Sequence, residues 1–167
     1  DVAALLQILG EDSAETRWLA GDHSAPDEGA QAAMQAGFAP YLAALRHDPT
    51  DHAAALAAFA LFRVLCALRE GPRGVEVTNA KLLQLLLPGA ARASMRLGQP
   101  VMVLRNEPLL GLFNGDVGLL LPDAAGVLGA VFPGPEGGAP RWLPLARLPA
   151  HETAFAMTVH KAQGSEF

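Results

Sequence analysis

The sequence predicts an α/β domain interrupted by a small all-β insertion, and three observations predict it. Helical patterns alternate with a short apolar strand as far as "NAKLLQLLLPG". After Gly98 the pattern changes to short apolar segments bounded by Gly, Pro, Asn and Asp. Near the end, "TAFAMTV" returns to the continuous apolar run of a buried parallel strand, and a polar turn follows it. The simplest organisation is an α/β unit over 1–94 and 151–167, with an inserted β-barrel at 95–150. Its connections are expected near Met95–Pro100 and Leu148–His151.

Taken in order, Val2, Leu5, Leu6 and Leu9 recur at helical spacing, and a loop follows with at most a short strand around Trp18. Residues 31–46 are helical in pattern, with an interruption near Gly37–Pro40. In "HDPTDHAAALAAFALF", Thr50 or Asp51 can cap the exposed amides of a new helix. "FRVLCAL" is short and apolar with a β-branched Val64, so it predicts a buried strand, and "REGPRG" a loop. "NAKLLQLLLPG" predicts a helix opened by Asn79 and closed at Pro88–Gly89. Within the insertion, Asn114–Gly115 is a strong hairpin signal because both residues tolerate positive φ. Trp142 reads as a packing residue of the barrel, with a base-stacking platform as the alternative.

Composition excludes some functions. No run of about eighteen apolar residues spans a membrane, and the start "DVAALLQILGED" has neither the basic flank of a signal peptide nor an initiating Met. It is expected not to be a natural start. The single cysteine, Cys66, rules out an internal disulfide and fits a reducing cytoplasm, where it reads as a small buried hydrophobe. The formal net charge is −5, but residues 1–60 carry nine acids against Arg17 and Arg46, a balance of −7. Residues 61–167 carry eight acids against ten lysines and arginines, a balance of +2, so that part offers a mildly positive face.

Enzymatic motifs are mostly excluded. A phosphate loop needs Gly-Lys-Ser/Thr, and the two lysines, Lys81 and Lys161, do not follow a glycine. "HETAF" begins like a zinc-binding HExxH but has Phe155 where the second His belongs, so no metal site is expected. His151 and Glu152 read as junction or packing residues. What remains is the turn after "TAFAMTV". It sets Thr158, His160, Lys161 and Gln163 at the carboxyl edge of a sheet, where open α/β sheets bind ligands. Thr158 and the following amides suit a phosphate oxygen, Lys161 adds charge, and Gly164 allows close approach; a plain exposed turn is the alternative.

These residues carry a resemblance. "AMTVHKAQGSEF" resembles motif V of the RecD family of superfamily 1 helicases, the α subunit of bacterial exodeoxyribonuclease V. "FRVLCALREGPRGV", "PVMVLRNEPLLGLFNGDVGLLLP" and "RLPAHETAFAMTVHKAQGSEF" match the same family, over roughly residues 55–167. The resemblance implies a partial RecA-like second motor domain with an inserted SH3-like barrel, walking 5′ to 3′ on single-stranded DNA with ATP and Mg²⁺. It implies that Thr158 and His160 face the DNA backbone, and that Gln163, Gly164 and Glu166 lie toward the nucleotide. It sets Arg69 by the DNA or nucleotide face. Lys161 joins as a DNA contact; Asn114 reads first as part of a hairpin turn, with a DNA contact as the alternative.

The departures from the family pattern limit what the chain does alone. The family's phosphate loop, Mg-binding acidic motif and "SYR" arginine precede the first residue here, and its last arginine motif follows Phe167. Ala162 stands where a Ser is common. The chain by itself is therefore expected to be inactive. RecB- and RecC-like subunits are the implied partners. A stand-alone RecD-like helicase and a non-catalytic module docking a protein through the barrel are the alternatives.

Overall fold

Asp48 ends one helix and prepares the next. In the computed structural model, which describes residues 28–89, 95–135 and 138–162, helix α1 (Glu28–His47) gives way to α2 (His52–Ala60) across it. The Asp48 carboxylate accepts from the Thr50 N–H at 2.8 Å and the Thr50 hydroxyl at 2.6 Å. Those two bonds hold that carboxyl below its ordinary pKa. Asp51 then caps α2, accepting from the Ala54 N–H at 3.0 Å, so of the two expected caps Asp51 is the one used. The helix and strand expected before Gly21 lie outside the described residues.

The expected break at Gly37–Pro40 is absent, because α1 runs through Pro40. Pro40 and Ala36, whose carbonyl loses its partner, are both exposed, so the gap is open to solvent. Gly37 has a packing role instead: a Cβ there would lie 2.5 Å from the Phe62 ring. Phe62 meets Phe38 edge-on at 5.0 Å. Phe38, Tyr41 and Leu45 form the buried stripe of α1.

The predicted strand is β1 (Val64–Cys66). The helix expected to open at Asn79 opens a turn earlier, as α3 (Val75–Leu86) with Gly74 at its N-cap. Asn79 is no cap: it lies buried in mid-helix. The sequence signal failed because Asn serves as readily as a bridge to another segment as in a local turn. At the other end, the Arg96 guanidinium donates to the carbonyls of Leu87 (2.7 Å) and Leu83 (3.2 Å), sharing the latter with the Leu87 N–H (3.2 Å).

Strands β2 (Pro100–Val103), β3 (Val117–Pro122), β4 (Leu128–Phe132), β5 (Arg141–Pro144) and β6 (His151–Thr153) form an antiparallel sheet in the order β5-β4-β3-β2-β6. The expected barrel is not closed among the described residues: β5 and β6 are the two edges of an open sheet. The β2–β3 connection is the loop 104–116 rather than a two-residue hairpin. Asn114–Gly115 is a tight turn at its far end, with Gly115 at φ +100° and the Asp116 N–H donating to the Phe113 carbonyl at 3.0 Å. His151–Thr153 falls in the span assigned to the α/β unit, yet it pairs with β2. The chain enters the second sheet at β7 (Ala156–Thr158), which pairs in parallel with β1.

Alternation along β3 divides the core. Leu119 and Leu121, with Val131 of β4, pack against Phe38, Tyr41, Phe59 and Leu82 of the helices and Phe155 of the β6–β7 connection. Leu120, Ala130 and Phe132 turn the other way, onto Val101, Val103 and Leu112. Trp142 is a packing residue, as expected: it lies over Gly129, where a Cβ would clash with its ring, and its Nε1–H donates to the Leu121 carbonyl. The Tyr41 hydroxyl donates to the Gly98 carbonyl, tying α1 to the start of the sheet, and burial pushes that phenol far above its ordinary range.

Candidate nucleic-acid interface

The parallel pair ends at Cys66 and Thr158, which face each other in register. Both chains then turn: one into the loop 67–74, the other into the four-residue helix α4 (Val159–Ala162). The Thr158 hydroxyl accepts from the Lys161 N–H at 3.2 Å, so part of its hydrogen-bonding capacity goes to holding the turn itself. His160 is exposed and Ala162 is buried, which anchors the turn from beneath.

Glycine shapes the opposite loop. Gly71 sits at φ +92°. A Cβ on Gly74 would lie 2.5 Å from the Glu70 carbonyl group and 2.6 Å from the Arg69 oxygen, so the loop folds back tightly on α3. The first-turn amides of Val75 and Glu76 donate to the carbonyls of Leu68 (3.1 Å) and Arg69 (3.3 Å). These two amides at the positive end of α3 are thereby used internally.

The side chains of Arg69 and Lys161 converge on Glu152. Arg69 approaches one carboxylate oxygen through Nη2 at 2.9 Å, and Lys161 approaches the other through Nζ at 3.8 Å. Arg69 also reaches Glu76, 3.6 Å from Nε. A carboxylate on the edge of the antiparallel sheet thus bridges a cation from the loop and a cation from the turn. Beneath them Cys66 donates to the Thr78 hydroxyl at 3.8 Å, and burial pushes its thiol above the ordinary range. Cys66 is the buried hydrophobe expected of it.

Of the sequence-predicted residues, Thr158, His160, Lys161 and Arg69 therefore lie around one edge. Asn114 is held elsewhere, on the loop 104–116, where its N–H donates to the Asn106 side chain at 2.9 Å. Gln163, Gly164 and Glu166 lie outside the described residues. Sequence reasoning missed Glu152 and Asn79 as parts of this site. Arg69 and Glu152 are 83 positions apart, a pairing that no local pattern encodes. Among the described residues no group of His, Cys, Asp or Glu is arranged to hold a metal ion.

No protein-family model matches the chain. Among characterised proteins, it is 39% identical over 110 residues to the RecBCD enzyme subunit RecD of Haemophilus influenzae, covering 63% of this chain. It is 30% identical over 171 residues to the RecBCD enzyme subunit RecD of Mycolicibacterium smegmatis, covering 99% of this chain. The chain belongs to the RecD family. The likeness extends to the ATP-dependent RecD2 DNA helicase of Deinococcus radiodurans, 33% identical over 110 residues and 63% of this chain. The chain spans 16%, 28% and 15% of the lengths of these three relatives. In this RecD-family segment the motif V resemblance coincides with the edge where β1 and β7 end. No helix among the described residues is long and apolar enough to cross a membrane.

Proposed function

We propose that this chain is part of the motor of an ATP-driven, 5′-to-3′ DNA helicase of the RecD type, and that the Thr158 turn grips the backbone of single-stranded DNA. One observation carries the reading: in a RecD-family chain, Thr158, Lys161 and Arg69 converge at the carboxyl end of a parallel strand pair. That end is where open α/β sheets take ligands. In this reading 1–94 with 151–167 is part of a RecA-like second motor domain, and 95–150 is its SH3-like insertion. Four of the five short antiparallel strands, β2 to β5, fall within 95–150 and support it. His160 and Asn114 add further DNA contacts.

The residues present do not make a complete nucleotide site. The chain has no Gly-Lys-Ser/Thr, and Gln163, Gly164 and Glu166 would supply only one side of the cleft. ATP and Mg²⁺ are therefore held mainly by other parts of the full-length enzyme, and the chain alone turns over no ATP. By analogy with the relatives named as RecBCD subunits, the full protein works beside RecB- and RecC-like partners in break repair and recombination, within the cytoplasm. The alternative is a stand-alone helicase. A protein-docking role is favoured by Leu109, 93% exposed, and Phe113, 52% exposed, on the loop 104–116. It uses residues other than those of the Thr158 turn and is compatible with the motor reading.

The test uses Lys161→Ala in the full-length enzyme, titrated with oligonucleotides of several sequences at several salt concentrations. Affinity should fall evenly across sequences, because backbone contacts carry no base information. The slope of log affinity against log salt should shrink by about one. An unchanged slope and affinity would remove the turn from the DNA path.

A further inference from the structure

Between β6 and β7 the chain leaves one sheet and enters the other through Ala154 and Phe155, both fully buried. The Ala154 N–H still donates to the Pro100 carbonyl at 3.0 Å, the last such bond toward the antiparallel sheet. Beyond it, backbone groups sealed from water need other partners. Asn79 supplies them. Its Nδ2 donates to the carbonyls of Thr153 (2.7 Å) and Ala156 (3.0 Å), and its Oδ1 accepts from the Ala156 N–H at 2.8 Å.

The pattern is that of a missing strand. A residue in a strand sends its N–H and C=O to the same edge. Ala156 sends both to Asn79, so the carboxamide occupies the edge of β7 that faces away from β1. An amide side chain imitates a peptide group, offering donors and an acceptor in one plane. Asp lacks the donors, and Ala lacks both. Asn79 itself is buried in the middle of α3, which holds the carboxamide in place.

We infer that Asn79 is a positioning residue for the Thr158 turn: its carboxamide fixes the crossing between the two sheets. It thereby sets where Glu152, on one side of the crossing, meets Lys161, on the other. The functional part of this inference rests on the proposed DNA contact. The structural part does not, and the two are separable by experiment.

Asn79→Asp in the full-length enzyme is the primary variant. At about pH 8 it sets a carboxylate against two carbonyls, so strand affinity and strand-stimulated ATP turnover should fall about tenfold to a hundredfold, as small misplacements of a working group do. Burial raises the pKa of the introduced carboxyl group, so towards about pH 5.5 it takes up a proton and regains one donor. The variant's deficit relative to wild type should then narrow. In parallel, amide exchange is measured on wild type and Asn79→Ala. Exchange at Ala156 should quicken in the variant while that at Leu120 is unchanged. Should Asn79→Asp not fold, the smaller neutral Asn79→Ser is read for affinity and for Ala156 exchange. Wild-type affinity in the folded variant at pH 8 would overturn the inference. So would a deficit that ignores pH and tracks a uniform loss of protection at all amides. If the wild-type enzyme binds no strand, the DNA reading fails, and Ala156 exchange alone then decides the structural claim.

Discussion

Glu152 is shared between Arg69 and Lys161. The Glu152 side chain is 21% exposed, against 53% for Arg69 and 27% for Lys161, so this is a partly solvated cluster. Pairs of this kind contribute about 0–1 kcal/mol to stability. Their larger effect is on any incoming phosphate, which must compete with the carboxylate for both cations. Glu152→Gln should therefore leave the melting temperature nearly unchanged while raising affinity for single-stranded DNA, most visibly at low salt. Oligonucleotide titration beside a thermal melt reads both. A variant that melts much earlier and binds no better would make Glu152 a structural clasp only. The sequence pointed at this residue through "HETAF", excluded a metal ligand, and left it as a junction or packing residue.

The loop 67–74 shows how an element borrows its shape from backbone packing. Its carbonyls close the first turn of α3, and Gly74 lets them approach. In Gly74→Ala the new methyl meets backbone atoms, which cannot rotate away, so a loss of about 1–3 kcal/mol is expected. The loop should shift with it, and Arg69 should lose Glu152. Chemical denaturation measures the first effect, and strand affinity the second. A fully stable Gly74→Ala would mean that the loop is looser than its hydrogen bonds suggest. Elements carried by local chemistry were legible in advance: the Asp51 cap, the β1 strand and the turn at Gly115. Pro40 misled because its helix-breaking cost depends on whether water reaches the released carbonyl. Asn79 misled because its partners lie 74 and 77 positions away.

The five-stranded sheet and the helices share one interior. Leu119, Leu121 and Val131 pack into the same cluster as Phe38, Phe59 and Phe155, so the sheet and the helical side are expected to unfold together. Leu121→Ala should cost about 2–5 kcal/mol. It should move the far-UV signal of the helices and the fluorescence of Trp142, with Trp18 replaced by Phe, by the same amount. Two separated transitions would show that the sheet folds as an independent unit. Residue order alone was enough to determine the α/β character, the change of pattern at Gly98 and the polar turn after a parallel strand. Hydrophobic period, glycine placement and capping chemistry act over a few residues and are written there. The open edge of the sheet, the pairing of β6 with β2, the Asn79 bridge and the meeting of Arg69 with Glu152 were settled only once the chain had folded. Each depends on which distant backbone groups are sealed from water together, and that is a property of packing in three dimensions.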